Sequence, residues 1–94
     1  MHFVYILYSS TLDKFYVGET SNLSQRVIWH ISKEFSHSYT KTANNWEVFL
    51  SFECENIGMA RKIETHIKNM KSRKYYENLK SYPEMIEKLI KKFS

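Results

Sequence analysis

The chain has one cysteine, one proline and two glycines in 94 residues. The lone Cys54 excludes an intramolecular disulfide and any zinc site built on a cysteine cluster. It falls in a run that reads as the end of a strand, with no neighbour in the sequence that visibly activates it, so a buried free thiol is expected. No stretch approaches the length needed to cross a bilayer. The opening Met1-His2-Phe3-Val4-Tyr5 lacks the basic segment and long apolar run of a secretory signal. A soluble cytoplasmic protein with no membrane partner is expected. Internal repeats and low-complexity tracts are also missing.

What is present is enough for one domain over residues 1–94. Hydrophobic residues make up 43%, and seven Tyr beside six Phe predict a sheet whose rings cover one another. The net charge of +4 is unevenly spread, with ten Lys or Arg against four Glu between Arg61 and Lys92. Such a stretch can track a polyanion such as DNA, with an affinity that falls as salt rises, and Lys68, Lys71, Arg73 and Lys74 are the candidate contacts. The plainer reading is a solvated helix surface.

Periodicity supplies the elements. Phe3 to Tyr8 and Phe15 to Val17 are runs of strand-forming residues separated by a polar segment, which predicts a β-hairpin. Pairing Tyr5 with Tyr16 places Tyr8 opposite Asp13, Phe3 opposite Gly18 and a loop over Ser9 to Leu12, with both phenols on one face. Thr20-Ser21-Asn22 offers capping side chains to a helix from about Leu23 to Ile31, on which Arg26 and His30 lie four apart. Ser32 to Asn45 has no period and reads as a loop. Trp46 to Phe52 alternates, with Trp46, Val48, Leu50 and Phe52 on one side of a third strand. After a turn at Asn56-Ile57-Gly58, a helix face runs through Ala60, Ile63, Ile67 and Met70. Lys71 to Lys80 is expected to be helical for part of its length. Ser81-Tyr82-Pro83-Glu84 reads as a capping box opening a last helix over about residues 83–93, with Met85, Ile86, Leu89, Ile90 and Phe93 inward. The order β-β-α-β-α-α predicts an α+β fold, a three-stranded antiparallel sheet flanked by helices.

Within this framework Tyr5, Tyr16, Arg26, His30 and Glu64 are the candidate site residues. Phosphodiester hydrolysis calls for such groups: a carboxylate for a hard cation, a phenol or imidazole to deprotonate water, and an arginine for the phosphate. Each also has a structural reading, as sheet aromatics, a solvated helix arginine, a structural histidine and a partner for Lys68 one turn on. His2, His37 and His66 lack paired spacing with other ligands and are assigned no chemistry. Trp29 and Trp46 read as packing residues, although Trp46 beside the polar loop could stack on a base.

The motifs Phe3-Val4-Tyr5 and Tyr16-Val17-Gly18, the helix segment Asn22-Leu23-Ser24-Gln25-Arg26-Val27 with His30 one turn later, and Ala60-Arg61-Lys62-Ile63-Glu64 stand in a distinctive order. This arrangement resembles the GIY-YIG nuclease domain, in particular its small single-domain bacterial members, over about residues 2–80. The resemblance implies a divalent-metal-dependent DNA endonuclease, acting on branched or damaged DNA. It implies that Glu64 binds one Mg²⁺ or Mn²⁺, that Arg26 stabilises the phosphate, and that Tyr5, Tyr16 and His30 surround the attacking water. Phe3 replaces the family's leading glycine, and Glu19 stands where some members carry a lysine, which shifts activation to the metal or His30. Alternatives from other classes are a non-catalytic nucleic-acid-binding module that retains the fold, and a structural adaptor that binds no DNA.

Overall fold

The computed structural model describes residues 1–32 and 46–94, with residues 29–32 described for their helical backbone alone. The loop expected over Ser32 to Asn45 therefore lies outside the described residues, apart from Ser32, which ends a helix.

Strands β1 (His2–Ser9), β2 (Lys14–Thr20) and β3 (Trp46–Cys54) form an antiparallel sheet in the order β2-β1-β3. Because β1 is central, both of its faces are covered, and Val4, Ile6 and Leu7 are fully buried with Tyr5 only 1% exposed. That explains why β1 reads as a continuous apolar run and not as an alternating one. Each aliphatic side chain buried this fully contributes about 1.5–3 kcal/mol to folding.

Helix α1 (Leu23–Ser32) covers one face, where Leu23 and Val27 pack on Tyr5, Leu7, Tyr16 and Trp46. The other face meets α2 (Ile57–Met70), with α3 (Arg73–Ser81) and α4 (Pro83–Phe93) behind it. There Val4, Ile6 and Val17 meet Met59, Ala60, Ile63 and Ile67, with Leu79 and Leu89 completing the cluster. Cys54 is buried in this core, as its surroundings predict, and burial pushes its thiol pKa up. Trp46 is 2% exposed beneath α1, which leaves no ring face for a base.

Several sequence expectations need correcting. The hairpin pairs Tyr5 with Gly18 and Leu7 with Tyr16, not Tyr5 with Tyr16. Ser9 still belongs to β1, and the turn occupies residues 10–13. The displacement is two residues on the pairing, an even number, so both phenols still share the α1 face. The turn closes where it does because Asp13 adopts a left-handed conformation (φ 52°), which Asp tolerates better than most residues.

The uninterrupted alternation of β3 is also overturned. The register with β1 shifts between Ile6, opposite Leu50, and Leu7, opposite Val48, leaving Phe49 as an extra residue. Trp46 therefore packs with the α1-side cluster, whereas Leu50 and Phe52 pack on the α2 side.

Asn56 is not in a turn before a helix but caps the helix itself, its Oδ1 accepting a hydrogen bond from the Met59 amide at 2.8 Å. Met70 is 43% exposed, so Met59, not Met70, completes the inward face of α2. The expected capping box does not form. Ser81 ends α3, and Tyr82 begins α4 without a side-chain cap while Pro83 takes the first helical position. With α3 as a separate helix the full order is β-β-α-β-α-α-α.

The hairpin tip is tied to α3. Arg73 donates from Nη1 and Nη2 to both Asp13 carboxylate oxygens, at 3.1 and 2.8 Å, and from Nη2 to the Asp13 carbonyl at 2.7 Å. Its guanidinium lies 5.4 Å from the centre of the Phe15 ring, which makes edge contacts with Phe49 and Tyr76. The Tyr8 hydroxyl donates to the same carboxylate at 2.6 Å.

Hydrogen bonds from Arg73 first, then Tyr8, hold the Asp13 carboxyl below its ordinary pKa. A depressed carboxyl stabilises the fold above the pH range of an unfolded Asp and loses that contribution as pH falls through its folded value. Asp13→Asn, which keeps the turn's tolerance for positive φ, should therefore melt below the parent at neutral pH. The gap between the two melting temperatures should close below about pH 4. Thermal melts across pH check this, and a gap that persists in acid would remove the ion pair from the explanation.

Candidate active site at the outer edge of β2

The backbone of α1 begins with a built cap. Asn22 Oδ1 accepts a hydrogen bond from the Gln25 amide at 3.1 Å, and Thr20 Oγ1 accepts one from the Asn22 amide at 3.1 Å. This fixes the first turn, so Arg26 stands one turn into the helix, lining with Thr20, Ser21, Asn22 and Gln25 a hollow of about 110 Å³. Its Nε is shielded from solvent.

Tyr5 reaches the same region from the central strand. Its ring lies across Gly18 on β2, so closely that a Cβ at position 18 would stand 2.4 Å from the Tyr5 hydroxyl oxygen. The second motif therefore ends in glycine because a phenol occupies the side-chain space. The Tyr16 ring is stacked near Tyr5 with centroids 6.4 Å apart.

Electrostatics tie these groups together. The Tyr5 phenol has its pKa pushed well above the ordinary value, by burial first and then by the neighbouring Tyr16, with Glu64 and Glu19 adding smaller pushes and Arg26 acting against them. At neutral pH Tyr5 is therefore a neutral hydrogen-bond donor. The influence of Tyr16, Arg26, Glu64 and Glu19 on one hydroxyl brings β1, β2, α1 and α2 to a common site.

Glu64 follows the buried Ile63 on α2, with its side chain 18% exposed and 3.5 Å from Lys68 Nζ. The expected pairing with Lys68 one turn on is present, and the same carboxylate is within electrostatic influence of Tyr5. Among the described residues no group of three or more His, Cys, Asp or Glu converges on a point. A single partly exposed carboxylate suits Mg²⁺ or Mn²⁺, hard cations that keep several waters and take the rest of their shell from one or two carboxylates and substrate phosphate. The donor set fits such an ion at Glu64.

His30 lies within α1, but its side chain falls outside the described residues, as do those of Trp29 and His37. Among the basic candidates, Lys71 is the left-handed C-cap of α2 (φ 47°) and Lys74 is exposed on α3. Arg73 is engaged by Asp13 at the hairpin tip.

Sequence reasoning missed one cluster. His2 Nε2 hydrogen-bonds Glu19 Oε2, and Arg61 Nε stands 3.9 Å from Glu19 Oε1. His2 and Glu19 lie on the face shared by Val4, a relation contained in the period-two alternation of β1 and β2 but not in any local ligand spacing. Glu19, standing where some family members carry lysine, is thus held by two basic partners.

Two phenols, a guanidinium and a carboxylate gathered at a sheet edge suit a hydrolase that handles phosphodiesters. The family model of the GIY-YIG catalytic domain matches residues 1–77, and the chain belongs to that family. Its domains are generally nucleases, typically use divalent metals and act on DNA. No curated protein and no solved structure matches the chain. Among the described residues no helix is long and apolar enough to cross a membrane.

Gly18→Ala drives a methyl group into the Tyr5 ring, which is buried and must shift to admit it. Overpacking of this kind costs about 1–3 kcal/mol. A denaturant titration should show that loss, and Tyr5→Phe in the same background should restore part of it by removing the oxygen nearest the clash.

Proposed function

We propose that the protein is a divalent-metal-dependent DNA endonuclease, a single cytoplasmic domain that hydrolyses phosphodiester bonds on branched or damaged DNA. The observation that carries this reading is the Tyr5 hydroxyl end lying over Gly18 with the Tyr16 ring 6.4 Å away, within electrostatic influence of Arg26 and Glu64, in a chain whose family is one of nucleases.

Glu64 is the residue that would hold Mg²⁺ or Mn²⁺, which supplies charge neutralisation at the phosphate and a more acidic water. Arg26 donates to the non-bridging phosphate oxygens, where charge builds up in the transition state. Tyr5, kept neutral by burial, donates its hydroxyl hydrogen and orients the reacting group. Removal of the water's proton falls to Tyr16 or His30. In-line attack on phosphorus leaves a 5′-phosphate and a 3′-hydroxyl. Glu19 does not lower the phenol pKa as a lysine would; its pairing with His2 and Arg61 supports a positioning role at the edge of β2. Lys68 on α2, Lys71 at its C-cap and Lys74 on α3 are exposed and offer phosphate contacts, whereas Arg73 serves the hairpin latch.

A non-catalytic DNA-binding module is the second reading, favoured by the same elevated Tyr5 pKa, since a neutral buried phenol also serves packing alone. Cleavage of plasmid, flap, fork and single-stranded DNA with Mg²⁺ or Mn²⁺ separates the two. Wild-type cutting should be abolished by Glu64→Ala and reduced by about 10²–10³ by Arg26→Ala without loss of fold. DNA binding with no cutting in any form would establish the second reading.

Tyr16→Phe should slow cleavage more than Tyr5→Phe, because Tyr5 contributes a donor and not a base. Single-turnover rates measured across pH test the assignment, and wild-type rates in both variants would eliminate a phenol from the mechanism.

A further inference from the structure

A hollow among the described residues lies outside the Tyr5 site, along the outward side of α2. It has a volume of about 440 Å³ and is lined by Arg61, Lys62, Thr65, His66, Asn69 and Phe93. It is a shallow, open groove, which suits a ligand laid along the surface more than one enclosed by it. Aromatic rings form its apolar part: Phe93, half-buried at the end of α4, touches His66 with ring centroids 5.7 Å apart. Its charged lining is entirely basic, from Arg61 and Lys62, and Lys92 Nζ stands 5.4 Å from the Phe93 ring centre.

We propose that this groove is a subsite for one unpaired nucleotide of a DNA substrate, its base stacked on the Phe93 ring with the His66 ring, inclined at 59° to it, against the base edge, and its phosphate held by Arg61 and Lys62. The argument is one of charge and position. An apolar floor alone would suit many ligands, but a floor walled by cations selects one that combines a flat π-face with negative charge, as a nucleotide does. Arg61 joins the groove to the edge of β2: it lines the groove, stands 3.9 Å from Glu19 and lies three residues before Glu64 on α2, a spacing that puts the two side by side on the helix surface. A strand whose scissile phosphate lies at Glu64 therefore meets Arg61 within about one helical turn, about 5.4 Å.

The subsite rests on the nuclease reading and narrows it. A nucleotide fully stacked in a duplex cannot enter such a pocket without the cost of unstacking, whereas a bulged, flapped or junction nucleotide has that cost already met. The groove thus selects DNA with an unpaired nucleotide beside the cut.

The test uses the full chain as Glu64→Gln in EDTA, so that binding is read apart from cleavage. One probe is a duplex with a single extrahelical 2-aminopurine, and the other is the fully paired duplex of the same sequence. The bulged probe should bind at least about fivefold more tightly, the lower end of base–aromatic stacking, with its fluorescence quenched. Phe93→Leu should abolish both the quench and the preference. Since Phe93 also packs on the core, the double variant Arg61→Gln/Lys62→Gln, at exposed positions, provides a second arm and should weaken the bulged probe more than the paired one. Equal affinity for the two probes, or a quench that survives both sets of substitutions, overturns the subsite while leaving a DNA-acting enzyme intact. Failure to bind either probe at low salt overturns the subsite and the DNA-directed reading together.

Discussion

The hydroxyl end of Tyr5 fills the space that a side chain at position 18 would take, and much else follows from that contact. It requires glycine in β2 for steric reasons alone, since Gly18 has no positive φ. It carries a polar group from the centre of the sheet to its outer strand. There the covering on one face, α1 with Arg26, and the covering on the other, α2 with Glu64, come within electrostatic reach of one another. A three-stranded sheet is narrow enough for a single aromatic ring to bridge from the middle to the rim, so a chain of this size can assemble a site from both of its layers.

The same burial that locates Tyr5 also sets its protonation. A phenol 1% exposed, near two carboxylates, keeps its hydrogen. The two tyrosines thus differ in surroundings although they share a face, because one lies on the covered central strand and the other on the outer one.

Face assignments were largely legible from the sequence, because period two on strands and period 3.6 on helices survive errors of register by an even number. That is why the phenols, Val27, Ile63 and Ile67 fall where their spacing places them. Partners were less legible. Hairpin register depended on the conformation of Asp13, which no hydrophobic pattern encodes, and the flip within β3 depended on one unpaired residue, Phe49. Glu64 and Arg26 were singled out through family order, while the His2–Glu19–Arg61 cluster joins distant parts of the chain and has no local signature. Arg73 shows the converse: a cation counted with the basic tract is held at the hairpin tip by a specific acidic partner.

The bulge in β3 has a mechanical consequence. The start of the strand is anchored through Trp46 beneath α1, and its end through Phe52 and Cys54 against the α2 side. One backbone therefore works as a rivet through the sheet, with a head in each layer. Pulling α1 away loads the same strand that α2 holds down, so the two layers are coupled in opening as well as in packing.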